Sequence, residues 1–180
     1  MPQMKAMIAE TFLAMAQERN VDKITIKDLA ETCHISRQTF YYHFQDMLDV
    51  IVWSMDQALQ EVLARGLKEK TLADSLRVFV SFTMESDRLL LRLLHSQYRE
   101  QMETLIVQAI HNYLWSLVRR RREKLTLPHA DLEAALHFSA FGVVGILLEN
   151  CGKPSPDPDR LADQLCRLIS GQLLAPIFGP

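Results

Sequence analysis

The sequence predicts an all-α fold with a small N-terminal unit and a larger C-terminal one. Apolar residues recur three and four positions apart through most of the 180 residues, which is the period of one helix face. No segment has the strict apolar and polar alternation that is typical of a half-buried strand. Breaks in the helical pattern divide the chain into about nine helices, with residues 1–45 as the small unit and residues 46–180 as the large one.

Composition indicates a soluble globular protein. Hydrophobic residues make up 48% of the chain and charged residues 23%, enough apolar side chains for one sizeable core or two small ones. No uninterrupted apolar run reaches the roughly 18 residues of a membrane span, and the N-terminus lacks the pattern of a signal peptide. The three cysteines have no CxxC spacing. We therefore expect a cytoplasmic protein with reduced thiols and no membrane association.

Three helices, of which the second and third are short, are predicted in the first 45 residues. The first, Met4 to Glu18, has an apolar face that would cover the other two. The second should begin at Thr25, whose hydroxyl can cap the helix in a box with Asp28. A turn at residues 33–35 then separates it from a third helix with Ser36 as its N-cap.

The third predicted helix has an unusual outer face. Phe40 and Phe44 can point inward, together with Ile35 just before the helix. The outer face is left with a guanidinium, an amide and two phenols, from Arg37, Gln38, Tyr41 and Tyr42. These groups can hydrogen-bond base edges or phosphates from a helix that lies in the DNA major groove.

The residues between Ile24 and Phe44 resemble the N-terminal domain of the tetracycline-repressor-like (TetR/AcrR) regulators, whose pattern is close to ITxxDIAxxxGVSxxTLYxYF. The chain matches this pattern in order and spacing at Ile24, Thr25, Asp28, Leu29, Ala30, Ile35, Ser36, Thr39, Phe40, Tyr41 and Phe44. It departs from the pattern at His34, where the family usually has the turn glycine, and at Met47, where a phosphate-binding lysine is usual. The segments FYYHFQD and FGVVGILLEN are most similar to the dihydroxyacetone-kinase-regulator-like subgroup.

The resemblance implies a helix-turn-helix domain that binds double-stranded DNA as a homodimer. Arg37 and Gln38 would then read bases, and Tyr42 would reach a base or a thymine methyl group. Thr25, Lys27, Thr39, Tyr41 and His43 would position the DNA backbone. A palindromic operator, a repressor role and control by an effector at the C-terminal domain are further expectations from the family.

Charge balance limits how such a domain would bind DNA. Residues 1–45 contain five basic and five acidic residues, so the domain has no net basic excess. Because phosphate contacts make binding dependent on salt, we expect a modest salt dependence. Affinity should come largely from two subunits on two half-sites about one helical turn apart.

The rest of the chain reads as further helices. A long one from Asp46 to about Leu67 should join the two units, and the KPSPDP segment is the clearest loop. The remaining helical segments are Thr71 to Met84, Asp87 to His95, Glu100 to Glu123, Asp131 to Asn150 and Arg160 to Leu174.

The last two predicted helices are apolar over wide arcs. This pattern is typical of burial on more than one side, either in a deep monomer core or in the four-helix dimer interface that the family implies. Gly142 and Gly145 would permit close helix approach. The predicted interface residues are Leu136, Phe141, Val144, Leu148, Leu161, Leu165 and Leu168.

An effector pocket is implied by the resemblance, with candidate lining residues Phe79, Phe82, His95, His111, Trp115 and Phe138. Each of these side chains can equally belong to the core. The histidines lie on separate helices without HxxxH or HxxE spacing, so no metal site is predicted. The Arg119 to Arg122 run suits a solvated helix end rather than a second nucleic-acid site.

Enzymatic motifs are not found in the sequence. It has no GxSxG elbow, no glycine-rich phosphate loop and no HExxH, so no catalytic residues or cofactors are predicted. The alternatives to an effector-controlled DNA-binding regulator are a helical protein-interaction module and a coregulator that responds to a protein partner. The effector is therefore expected to be either a small molecule or a protein.

Overall fold

The computed structural model describes residues 2–120, 127–153 and 157–178. In these ranges the chain forms ten α-helices, a short 3-10 helix at Val21–Lys23 and no strand, which confirms the all-α class. The α-helices are α1 Pro2–Glu18, α2 Ile26–Thr32, α3 Arg37–His43, α4 Met47–Gly66, α5 Leu72–Glu85, α6 Asp87–Leu94, α7 Arg99–Arg120, α8 His129–Asn150, α9 Pro158–Ile169 and α10 Ala175–Phe178.

The tenth helix arises because the predicted last helix ends early. Helix α9 stops at its C-cap Ser170, and Gly171 follows with φ at +78°. This left-handed conformation is the common way to end a helix at glycine, so the chain turns and α10 begins four residues later. Parts of the KPSPDP loop and of the Arg119 to Arg122 run lie outside the described residues.

One compact unit comprises Met1–Leu59 and Asp87–Leu105. The side chains of Phe12, Phe40 and Phe44 are at its centre, each at most 1% exposed. Helix α6 is tied to α1 by Arg92, whose Nη1 donates to the carbonyl oxygens of Ala16 and Arg19 at the end of α1. The bonds place a cation at the negative end of a helix dipole, which stabilises the support for α2 and α3.

The second compact unit comprises Gln60–Ser86 and Ile106–Pro180. Helix α5 packs on α9, where the Arg77 guanidinium bonds Asp159 and Asp163 as well as Asp74 on its own helix. Deeper in the unit, the rings of Phe79 and Tyr113 pack edge to face, with their centroids 4.8 Å apart. These compact units do not test the predicted functional division at residue 45, which stays a prediction.

Helix α8 is apolar over most of its circumference. Among the described helices, this 22-residue helix alone is long and apolar enough to cross a membrane by length and composition. Only 28% of its most apolar 18-residue stretch is buried inside the chain. A helix in a subunit interface can have the same length and composition. The exposed apolar surface of α8 is therefore a candidate interface.

Candidate nucleic-acid interface and effector sites

Helix α2 begins at the predicted residue. The Thr25 hydroxyl accepts the Asp28 backbone N–H at 3.1 Å, and the Asp28 carboxylate accepts the Thr25 backbone N–H at 3.0 Å. The Thr25 hydroxyl also donates to that carboxylate, and these hydrogen bonds to the charged form lower the pKa of Asp28. The predicted capping box is confirmed, and it uses the Thr25 hydroxyl that was also expected to contact the DNA backbone.

The turn between α2 and α3 has the hydrogen bonds of a Schellman motif. The Ile35 N–H donates to the Ala30 carbonyl and the His34 N–H donates to the Glu31 carbonyl. His34 has φ at +54°, and it is the one non-glycine residue with positive φ among those described. The turn therefore keeps the backbone conformation that the family's usual glycine would adopt, with a strained side chain in its place.

Replacing His34 by glycine should stabilise the protein by about 0.5 to 1 kcal/mol, because the left-handed strain is removed while the unfolded chain gains some entropy. Denaturant unfolding would measure this. His43→Gly, at the end of the regular helix α3, is the control and should be destabilising. Loss of stability in His34→Gly would show that the imidazole makes interactions that outweigh the strain.

Helix α3 is held at its start by side chains of its own first turn. The Ser36 hydroxyl accepts the Thr39 N–H at 3.0 Å and bonds the Thr39 hydroxyl at 2.9 Å. Phe40 is completely buried and packs 6.0 Å from Phe44, so the opposite face of α3 points to solvent. The predicted N-cap and the two inward phenylalanines are confirmed, while Ile35 is only half-buried.

The solvent-facing side of α3 bears the predicted base-reading set. Arg37 and Gln38 are exposed, and neither has a hydrogen bond or ion pair to another described residue. The side chains of Tyr41 and Tyr42 are 57% and 68% exposed. Two rigid phenols and two long polar side chains therefore occupy one surface of a seven-residue helix.

The predicted backbone-contacting residues differ in how free they are. Lys27 is exposed beside Glu31 at 3.8 Å, a weak surface pair that DNA phosphate can replace. Thr39 and His43 are half-buried. The Thr39 hydroxyl is hydrogen-bonded to Ser36, and the ring of His43 lies 5.0 Å from that of Tyr42, centroid to centroid.

The start of α4 lacks a phosphate-binding group. Asp46 accepts the Asp49 N–H at 2.9 Å, and Asp49 accepts the Gln45 N–H at 3.1 Å. Met47, at the position of the usual lysine, is buried. Because two carboxylates already occupy this helix N-terminus, a phosphate would be repelled there.

The predicted effector residues do not gather in one place. Phe79 is 3% exposed and packs on Tyr113 as core, Phe82 and Trp115 are half-buried, and Phe138 is 71% exposed. His95 lies in the other compact unit, on the wall of a groove with α1.

A cavity of about 340 Å³ lies elsewhere in the second unit, and none of those six side chains lines it. Its wall is mainly aliphatic, with polar groups at the start of α5. The lining residues are Glu69, Lys70, Thr71, Leu72, Ser75, Leu114, Leu117, Val118, Leu136 and Ile169.

Three polar side chains do converge in the second unit. His111 of α7 meets Glu133 and His137 of α8, and one ligand atom of each lies within 4.8 Å of the others. The sequence had indicated His111 and His137 only as histidines on separate helices without HxxxH or HxxE spacing, and Glu133 was not recognised. Glu133 and His137 are one helical turn apart, an ExxxH spacing that could have indicated it.

The seven predicted interface residues are divided between core and surface. Leu136, Val144, Leu161 and Leu165 are buried within the chain itself. Leu148 and Leu168 are half-buried, and Phe141 is 63% exposed. The outer surface of α8 includes Phe138 together with the predicted Phe141, Gly142 and Gly145.

Comparisons with known proteins agree with this geometry. The sequence model of the family described as "Bacterial regulatory proteins, tetR family" matches residues 9–51, which contain α2, the turn and α3. No curated protein matches the chain.

Solved structures are similar over nearly the whole chain. The dihydroxyacetone kinase operon activator DhaS has 18% identity, a TM-score of 0.72 and coverage of 94% of this chain and 96% of its own. A tetR-family transcriptional regulator from Streptomyces coelicolor has 16% identity, a TM-score of 0.68 and coverage of 97% and 82%.

A third similar structure is Thermus thermophilus FadR, a TetR-family transcriptional repressor in complex with lauroyl-CoA, with 21% identity, a TM-score of 0.64 and coverage of 92% and 93%. At these identities the similarity is one of fold. Residues 9–51 therefore match the DNA-binding domain of the TetR family, and the all-helical fold of the chain is similar to that of TetR-family transcriptional regulators.

Proposed function

We propose that the chain is a cytoplasmic homodimeric repressor that binds a palindromic operator through α3 of each subunit. The observation that carries the proposal is the exposed set Arg37, Gln38, Tyr41 and Tyr42 on a helix whose N-cap and preceding turn are both fixed. A helix of this kind in the major groove presents its first residues to base edges.

The side-chain chemistry supports separate roles along α3. Arg37 can donate two hydrogen bonds to guanine, and Gln38 can pair in the same bidentate way with adenine. Tyr42 has the reach for a base or a thymine methyl group. Thr25, Lys27, Thr39, Tyr41 and His43 surround them and would contact phosphates or sugars, which fixes the register of the helix.

Dimer formation is proposed through the outer face of α8, together with α9. The side chains of Phe138 and Phe141 are 71% and 63% exposed. Large apolar side chains exposed close together are typical of a surface that binds another protein. Between them and the helix end, Gly142 and Gly145 have open space around the position of a Cβ atom, so a second copy can approach closely. A twofold axis at this face would pair two α3 helices with two operator half-sites.

Phe141→Glu should shift the protein from dimer to monomer and lower operator affinity, because two carboxylates would be buried against each other near the twofold axis. Light scattering after gel filtration would measure the mass. The control is Ile177→Glu, since Ile177 is 67% exposed outside α8 and should leave the dimer unchanged. A Phe141→Glu protein that stays dimeric would show that the dimer interface lies elsewhere.

Effector control is proposed at the cavity of about 340 Å³, whose size suits a small ligand. Its aliphatic wall, with the polar side chains of Glu69, Lys70 and Thr71 at one end, favours an amphipathic molecule. The similar FadR structure holds lauroyl-CoA, a ligand of that character. Ligand binding would then favour dimers whose α3 helices no longer match the half-site spacing.

A second candidate is a regulator that responds to a protein partner and activates transcription. The observation that favours it is the exposed apolar face of α8, which could bind another protein instead of a second copy. DhaS, which is similar in fold, is named as an operon activator. The resemblance of residues 40–46 and 141–150 to the dihydroxyacetone-kinase-regulator-like subgroup agrees with this candidate.

Selection of duplexes from a random-sequence pool tests the DNA-binding proposal. The purified protein should enrich an inverted repeat whose half-site centres are about one helical turn apart. A folded dimer that enriches no sequence would favour a helical protein-interaction module over either kind of DNA-binding regulator.

A further inference from the structure

The His111, Glu133 and His137 cluster has the composition of a metal site. His111 Nε2 and His137 Nε2 each lie 3.4 Å from the same oxygen, Glu133 Oε1. The two imidazole rings are stacked with centroids 4.1 Å apart. Two neutral imidazoles and one carboxylate are a frequent ligand set of zinc and of other divalent first-row transition ions.

The buried member of the cluster lacks hydrogen bonds. His111 is 6% exposed, and both of its ring nitrogens are without a hydrogen-bond partner, since the approach to Glu133 lacks hydrogen-bond geometry. Buried polar atoms in proteins are nearly always paired, and an unpaired one calls for a missing ligand or ion. A metal ion bound at Nε2 would supply that partner.

The spacing also agrees with coordination to one ion. Zinc bonds to histidine nitrogen and carboxylate oxygen are about 2.0 to 2.2 Å long, so two ligands of a tetrahedral ion are roughly 3.4 Å apart. Both nitrogen to oxygen separations have this value. The two imidazole rings are stacked, so one ion cannot lie in the plane of both rings as they stand. His137 is half-exposed and would turn its ring toward the ion, whereas His111 is fixed by burial.

The supporting contacts are those expected around a metal ligand. The indole N–H of Trp115 donates to Glu133 Oε2 at 3.0 Å, which leaves Oε1 toward the two histidines. An outer hydrogen bond of this kind orients a ligand and strengthens metal binding. His137 is 50% exposed, so solvent water can reach the cluster as a further ligand.

From these observations we propose that His111, Glu133 and His137 bind one divalent transition-metal ion, with Zn²⁺ as the best fit, and that the ion links α7 to α8. Hard ions such as Mg²⁺ prefer sets made only of oxygen ligands and should bind poorly. This site is separate from α3 and its proposal does not depend on the DNA-binding proposal.

Direct titration of the chelator-treated full chain with Zn²⁺ and Co²⁺ tests the site. The expected result is one ion per chain for each metal, no competition from Mg²⁺, and a visible Co²⁺ spectrum of mixed nitrogen and oxygen ligation. In a Trp53→Phe background, Trp115 is the only remaining indole, and its fluorescence should change at the same stoichiometry.

Variants assign the ligands. His137→Ala and Glu133→Gln should each weaken Zn²⁺ binding by at least about 100-fold, and Trp115→Phe by about 10- to 100-fold through loss of the outer hydrogen bond. His95→Ala is the matched control, because its ring is exposed and hydrogen-bonds the Leu91 carbonyl near the end of α6. His137 is half-exposed, so His137→Ala should fold as the parent protein does.

Absence of stoichiometric Zn²⁺ binding by the parent chain would overturn the proposal. So would Zn²⁺ affinity that is equal in His137→Ala and His95→Ala, since the ion would then bind elsewhere. Both readouts are independent of DNA, so a failed operator selection would leave this result unaffected.

Discussion

Arg37→Ala is expected to weaken binding to the selected operator by about 1 to 3 kcal/mol, or about 5- to 150-fold, with much less loss on random DNA. Arg37 is exposed at the first position of α3 and has no partner among the described residues, so its guanidinium is available to a base edge. Titration of labelled operator and random duplexes at two salt concentrations would measure both losses.

Lys27→Ala is the matched control for Arg37. Lys27 lies on α2 and is expected to contact phosphate, so its removal should weaken both duplexes alike and reduce the salt dependence by about one phosphate contact. If Arg37→Ala instead lowers affinity equally on operator and random DNA, Arg37 contacts only the backbone.

Phe40→Ala is expected to lower the free energy of unfolding by about 3 to 5 kcal/mol and to abolish operator binding. Phe40 is completely buried between α3 and the rest of its unit, edge to face with Tyr41 and beside Phe44. Its removal would leave a cavity beneath the DNA-facing helix. The expected loss is a large fraction of the free energy of unfolding of a typical domain. Denaturant unfolding followed by circular dichroism would measure the change.

Tyr42→Ala separates this packing effect from DNA contact. Tyr42 is next but one along the same helix, but its side chain is 68% exposed. Stability should fall by much less than in Phe40→Ala, while operator affinity falls. A Phe40→Ala protein that keeps its stability would show that the ring lies outside the cooperative core.

The N-terminal unit was predictable because its main determinants are local. The Thr25 and Ser36 caps, the Asp28 box and the inward Phe40 each follow from residues within one helical turn. Even the unusual His34 turn could be anticipated from its place between two well-marked helices.

The C-terminal sites were less predictable because they depend on which helix faces meet. Phe79 and Phe138 have similar sequence surroundings, yet one is core and the other is 71% exposed. The cavity is lined by ordinary aliphatic residues that no motif distinguishes. The histidine cluster needs α7 to bring His111 beside Glu133, a pairing between residues 22 positions apart that neither helix encodes alone.

The most direct test of the central claim, that α3 reads bases, is random-duplex selection carried out in parallel with the parent chain and with Gln38→Ala. The account predicts an inverted repeat for the parent chain and, for the variant, the same repeat with preference lost at one symmetric position in each half-site. An identical motif from both proteins, or no motif from the parent, would contradict base reading by this helix.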